Sequence, residues 1–257
     1  MILSRRVALG GQQLDEIHEA IVIRSIDPGV THETINAVTS MGGSGQRVTG
    51  EHWDTLEVNV TYAINVPKRQ MALRREIFDA VNAWAMQKGW LTVNWLANRR
   101  FYVDKVILPG SGDMWEWLNE YTITFRAYNV PFWQDETPNT VASGVQSSGT
   151  VRIQVNGNVK SVLDASFRNR SGMTINNFSI ETGGNRIQLS NIGLGGSSTI
   201  EIHHGTDGLL RILANGSSAY SKYTGADDLY VNPGNAAVSF SADRAGVLTV
   251  NSYGRYV

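Results

Sequence analysis

The sequence has no cysteine among its 257 residues, which excludes disulfides and thiolate metal sites. It has no excess of charge either: 22 basic against 23 acidic residues leave a formal net charge of -1, which argues against a general nucleic-acid surface. No apolar run approaches the ~20 residues that would span a bilayer as a helix. The opening Met-Ile-Leu-Ser-Arg-Arg runs into Val-Ala-Leu-Gly-Gly, too short and too interrupted for a signal-peptide core. The expectation is a soluble chain made in a cytoplasm, without membrane insertion. Catalytic signatures are missing as well. There is no His-Glu-x-x-His, no Gly-x-Ser-x-Gly elbow, no phosphate loop and no Gly-x-Gly-x-x-Gly, nor any internal repeat at a fixed period.

With 42% apolar residues the chain can bury real cores, and its length suits one large or two ordinary domains. Composition favours two. Of the seven tryptophans, Trp53 stands apart, the other six lie between 84 and 133, and the second half has none. Residues 144–257 are instead rich in Gly, Ser, Asn, Val and Ile, as short strands joined by tight turns require. Between the halves, Trp115, Trp117, Tyr121, Ile123, Phe125 and Ala127 alternate with Glu116, Glu120, Thr122, Thr124 and Arg126. That period of two predicts a long, half-buried strand, ended by Pro131, which has no amide hydrogen for a ladder. The predicted division is therefore a domain over 1–133, a linker over 134–149 and a domain over 150–257.

In the first half, residues 5–26 read as two strands joined near Gly10 and Gly11 or around Asp15. Residues 39–50 hold four glycines and few apolar anchors, and so form a mobile loop or the tip of an extended hairpin. Leu56, Val58, Val60, Tyr62 and Ile64 predict the next strand. Asn65 can cap a helix that tolerates Pro67 in its first turn, with an apolar stripe of Leu73, Ile77, Ala80, Val81 and Trp84 and a stop at Gly89. Strands over 91–95 and 100–108 follow. A helix lying on an antiparallel sheet satisfies the stripe. Residues 66–105 carry eight basic side chains, Arg74, Arg99 and Arg100 among them, against three acids. That excess reads as a solvated helix face with subunit contacts, the alternative being a phosphate-tracking role.

The second half predicts about eight strands in a two-sheet sandwich, with Asn156-Gly157 as a hairpin turn and further turns at Gly183-Gly184, Asn215-Gly216, Pro233-Gly234-Asn235 and Arg244 to Gly246. His203 and His204 are adjacent, so a strand points them to opposite faces; both read as surface or interface residues rather than metal ligands. Glu116 and Glu120 would lie roughly 13 Å apart on one strand face, beyond the spacing of a glycosidase pair. No catalytic, metal or cofactor residue is assigned. Tyr220, Tyr223, Tyr230, Tyr253 and Tyr256 could stack on sugar rings, although tyrosine also simply suits strands.

The order of elements carries a resemblance. A β-rich first half with one amphipathic helix (residues 69–88) is followed by Arg99-Arg-Phe-Tyr-Val-Asp104 and by Phe125-Arg-Ala-Tyr-Asn-Val-Pro-Phe-Trp133. A sandwich then closes on Asp228-Leu-Tyr-Val-Asn-Pro-Gly-Asn235 and ends at Tyr253-Gly-Arg-Tyr-Val257. This layout resembles the distal tail proteins of long, flexible-tailed bacteriophages. The resemblance implies a mainly β, β-rich α+β chain: an N-terminal antiparallel β domain forming a ring, six-fold in that family, and a C-terminal galectin-like β-sandwich outside it. The implied role is a structural hub at the virion tail tip, not an enzyme and without cofactors. Implied partners are further copies of the chain in a homo-hexamer, the tail tube protein, a tail-tip hub or tail-associated lysin, and receptor-binding or baseplate proteins, with DNA only as passing cargo. Ring contacts are expected of Met41, Gly42, Gly43, Ser44, Gly45, Gln46 and Arg47, with Arg99 or Arg100 as rim or channel charge, while Trp53 and Trp133 are expected to pack internally. The competing expectation is a carbohydrate-binding module whose second half contacts host-envelope glycans.

Overall fold

The computed structural model describes residues 5–39, 46–110, 118 and 120–257. It divides into two compact units, residues 1–133 with Val257, and residues 134–256. The architecture is mainly β with one α-helix among the described residues, as the alternation predicts.

The first unit contains β1 (Val7–Leu9), β2 (Gln12–Gln13), β3 (Ile21–Asp27), β4 (Glu33–Thr39), β5 (Gln46–Trp53), β6 (Leu56–Ile64), α1 (Met71–Ala85), β7 (Gly89–Val93), β8 (Arg99–Val103), β9 (Lys105–Ile107) and β10 (Tyr121–Ala127). One sheet runs β2-β1-β7-β8, a second β3-β6-β10-β9, and β4-β5 form a hairpin of their own. β6 and β10 pair in a register that sets Tyr62 opposite Tyr121, Val60 opposite Ile123 and Val58 opposite Phe125. All six are fully buried. The helix places Phe78 against Tyr121 and Trp84 against Phe125, with ring centroids 5.1 and 5.9 Å apart. Each such ring contributes about 1.5–3 kcal/mol by leaving water, so the stripe that predicts the helix also fixes it to β10.

Several boundaries differ for local reasons. The helix begins after Gln70, not Asn65, and no side chain caps it. The Asn65 amide donates instead to the Ala20 carbonyl at 2.7 Å, and a turn closed by Gln70 N–H to Pro67 O at 2.8 Å intervenes. Gly89 opens β7 instead of ending the helix, which stops at Ala85. The strand expected over 100–108 breaks at Asp104, whose carboxylate accepts the Tyr128 and Asn129 amides at 2.7 and 3.0 Å. The aromatic strand runs over Tyr121–Ala127, while Trp115 and Trp117 lie outside the described residues. Trp53 and Trp133 do pack internally: Trp53 meets Phe132 edge-on at 5.1 Å, and Trp133 meets Phe101 at 4.9 Å while donating to the Pro28 carbonyl at 3.1 Å.

β11 (Trp133–Asp135) crosses the division between the units. The second unit then holds β12 (Asn139–Ala142), β13 (Gln146–Val155), β14 (Ser161–Asn169), β15 (Phe178–Thr182), β16 (Asn185–Leu189), β17 (Thr199–His204), β18 (Leu210–Ala214), β19 (Ser217–Ser218), β20 (Tyr223–Gly225), β21 (Tyr230–Val231), β22 (Gly234–Ser252) and β23 (Arg255–Tyr256). Residues 134–149, expected as a linker, carry strands: β12 pairs with the end of β22 and the start of β13 with its middle. β22 is the organising element. Its first half lies between β13 and β15, and its second half between β12 and β14. From there the sheet extends one way through β15-β16-β20 and the other through β14-β17-β18-β19. The two halves close on one core, in which Phe167 meets Phe178 and Phe240 with centroids 5.0 and 5.9 Å apart.

The turn expected at Arg244 to Gly246 is therefore absent, and its glycine has another purpose. A Cβ at Gly246 would stand 2.4 Å from the Phe167 ring and 2.5 Å from the Arg168 carbonyl, so glycine permits close strand approach. Asn156-Gly157 likewise joins no hairpin, since β13 and β14 flank β22 instead of each other. Gly157, at φ +100°, lies where a Cβ would meet the Arg255 carbonyl at 2.2 Å. The Gly183-Gly184 and Asn215-Gly216 turns form as expected, each with two positive φ values.

Candidate functional site

The hairpin β4–β5 brackets residues 40–45, so the expected ring contacts Met41, Gly42, Gly43, Ser44 and Gly45 lie outside the described residues. Gln46 and Arg47 open β5 opposite Thr39 and Val38. A register shift between Asn36 and Ala37 puts an extra residue on β5, which bends and twists the arm. Among the described residues the hairpin pairs with no other strand. Ile35 is 54% exposed, and Glu33, Asn36 and Ala37 are exposed too. At its base the Asp54 amide donates to the His32 carbonyl at 2.8 Å, and the Thr34 hydroxyl meets the Asp54 carboxylate at 3.1 Å. Arg99 and Arg100 stand elsewhere, on β8 in the β2-β1-β7-β8 sheet, and both are half-buried. The Arg100 guanidinium covers the Trp90 ring at 4.1 Å, and that ring meets Tyr102 edge-on.

Arg74 corrects the reading of the basic segment as a solvated face. It is 4% exposed. Its guanidinium donates to the carbonyls of Ile64, Val66 and Leu118, each at 3.0 Å, and to the Tyr121 hydroxyl at 3.2 Å. It thus ties the first turn of α1 to the end of β6 and the start of β10. A signal for this was present: residue 74 precedes Ile77, Phe78 and Val81 at helical spacing, which sets it on the apolar stripe. Burial and the nearby Tyr121 push the Tyr62 hydroxyl well above its ordinary pKa.

In the second unit His204 is not a surface residue; its side chain is 4% exposed. Nδ1 lies 2.9 Å from Asp164 Oδ1 and Nε2 lies 2.8 Å from Asp228 Oδ1. The His204 amide also donates to Asp164, and the Tyr230 hydroxyl donates to the other oxygen of Asp228 at 2.8 Å. Arg255, 7% exposed, lies close enough to Asp164 and Asp228 for their charges to favour its protonated form, although burial lowers its pKa overall. Both ring nitrogens are thus engaged by carboxylate oxygens. The node joins β14, β17, the approach to β21 and β23. It holds structure together and leaves neither ring nitrogen open to a substrate. No local pattern marks it, because its members come from four separate segments.

Other carboxylates are similarly engaged. Glu120 lies 3.7 Å from Arg24, and Glu116 is outside the described residues. Asp207 accepts from the Leu209 amide and from Arg211 at 2.8 Å, which holds its carboxyl below the usual range. Among the described residues no group of three or more His, Asp or Glu is placed to hold a metal, and no helix is long and apolar enough to cross a membrane.

No family model matches the sequence, and no curated protein does. Solved structures are more informative. The chain's two β-rich units, with one helix among the described residues of the first, share their fold with a protein of a phage adsorption apparatus. That structure is the Dit protein (gp 19.1) of phage SPP1, described as a paradigm of the hub adsorption apparatus of phages that infect Gram-positive bacteria. The likeness covers 98% of this chain and 99% of that one, with a TM-score of 0.66 at 13% identity. A chain of the phage P2 baseplate in its activated, calcium-bound conformation aligns over 97% of this chain and 98% of its own, with a TM-score of 0.46 and 9% identity. At such identities the SPP1 match defines the fold and leaves the role to be argued.

Proposed function

We propose that this chain is the structural hub of a phage tail tip: copies close into a ring, hexameric as in the distal tail proteins it resembles, that joins the tail tube to the baseplate and host-adsorption apparatus. Residues 1–133 form the ring, residues 150–257 stand on its outside as a sandwich, and the central opening passes DNA. The chain acts by assembly, not catalysis. The observation that carries this is the fold shared with the SPP1 hub protein over 98% of the chain, both units included.

The hairpin arm supports it physically. A two-stranded hairpin is at best marginally stable in water by itself, so an arm with an exposed Ile35 gains by seating on another surface. In a closed ring each subunit offers two different patches, and an arm reaching a neighbour supplies one of them. Met41 to Arg47 are the contact residues in this proposal, with Arg99 or Arg100 adding charge at the rim or channel. Deleting residues 41–46 tests it by size-exclusion chromatography with light scattering. A closed oligomer that shifts to monomer or open fragments supports the arm as ring contact; an unchanged oligomer removes it. A full-length chain that stays monomeric at every concentration, and appears in no isolated tail, overturns the hub itself.

A further inference from the structure

The second unit carries a cleft of about 260 Å3 over β15, β16 and β22, lined by Asn177, Ser179, Arg186, Gln188, Ser241 and Asp243. Register makes it an ordered surface. Ser179 sits opposite Gln188 on one side and Ser241 on the other, while Glu181 is opposite Arg186. The alternate residues Phe178, Ile180, Ile187, Leu189 and Phe240 are buried in the core, so the strands beneath the cleft are fixed. Among the described residues, Asn177, Ser179, Arg186, Gln188 and Ser241 make no side-chain hydrogen bond or ion pair, and Asp243 accepts the Asn176 amide at 3.0 Å. The cleft therefore offers hydroxyls, amides, one guanidinium and one partly used carboxylate on a firm floor.

We propose that this cleft binds a short segment of neutral saccharide. The chemistry selects that class. A single guanidinium, with Glu181 opposite it and Asp243 in the lining, leaves no positive field for phosphate or nucleic acid. The apolar lining is limited to Ala242 and to Phe178, which is 2% exposed, so a lipid tail or aromatic ligand has nothing to cover. A polyhydroxylated ring matches mixed donors and acceptors at strand spacing. The volume falls just below the roughly 300–1,000 Å3 of pockets for drug-sized ligands, which leaves room for one or two rings. Without an aromatic platform, single-site binding is weak, and several copies held in one assembly would raise it by avidity. The site itself does not depend on ring formation.

The test is saturation-transfer NMR on the full-length chain with maltose, cellobiose, lactose and N,N′-diacetylchitobiose at millimolar concentration, beside inorganic phosphate and galacturonic acid. At least one neutral disaccharide should receive transfer. The Arg186→Ala/Gln188→Ala double variant, at exposed positions and with an unchanged circular dichroism spectrum, should weaken it tenfold or more, whereas Arg168→Ala on β14 should not. Transfer to no neutral sugar, equal transfer with the double variant, or a response confined to the two anions would overturn the proposal.

Discussion

Replacing Arg74 with methionine probes the packing logic of the first unit, because it keeps the side-chain length and removes the charge. Arg74 holds three carbonyls and one hydroxyl at 3.0–3.2 Å. Hydrogen bonds from a charged donor are worth about 1.5–3 kcal/mol each, but desolvating a cation at 4% exposure offsets several kcal/mol of that sum. What decides the outcome is the acceptors: the Ile64 carbonyl keeps the Val66 amide at 2.9 Å, whereas the Val66 and Leu118 carbonyls and the Tyr121 hydroxyl lose this donor, at about 1–3 kcal/mol for each that water does not reach. The expected net loss is about 3 kcal/mol. Tryptophan gives a selective assay, since all seven lie at or before residue 133 and fluorescence reports the first unit alone. With a urea slope of about 1–3 kcal/mol per molar, the fluorescence midpoint should fall by about 1–3 M. Arg74→Lys should recover part of it, as an ammonium reaches fewer of the four acceptors. A midpoint moved by less than about 0.3 M would refute the view that this guanidinium, and not hydrophobic burial alone, joins α1 to β6 and β10.

Other outcomes follow from the same contacts. His204→Ala leaves Asp164 and Asp228 facing an empty site; because both carboxylates retain some solvent exposure, it should cost about 2–4 kcal/mol, seen in far-ultraviolet circular dichroism with the tryptophan transition unmoved. Gly246→Ala forces a methyl against the Phe167 ring and the Arg168 carbonyl and should destabilise the second unit by about 1–3 kcal/mol, whereas Gly110→Ala, with open space around it, should be nearly neutral in thermal unfolding. For Tyr62 the folded-state pKa lies above the unfolded value of 10.0. Its contribution is thus complete below pH 10 and lost as pH rises towards the folded value; ultraviolet titration should show this tyrosine ionising only as the first unit unfolds.

Much of the fold was legible because periodicity is local. The alternation from Leu56 to Ile64, the helical stripe through Ile77, Val81 and Trp84, and the Gly183-Gly184 turn each declare an element within a few residues. What escaped is non-local. Gly246 reads as a turn residue until Phe167 is set against it, and Asn156-Gly157 reads as a hairpin until β22 is found between the strands it joins. Residues 134–149 look like a linker because their pairing partner comes a hundred residues later. Of the candidate ring contacts, Met41 to Gly45 lie outside the described residues, and the structure describes the paired strands β4 and β5 that precede and follow them. The His204 node gave no sign, since Asp164, His204, Asp228 and Arg255 are brought together only by the closed sandwich.

Imaging decides the central claim most directly. Negative-stain electron microscopy of the purified full-length chain over a concentration series, together with isolated tails labelled by an antibody to it, should show annuli with a central opening and a label confined to the tail tip. Solitary particles at every concentration, with no label at the tip, would contradict the account.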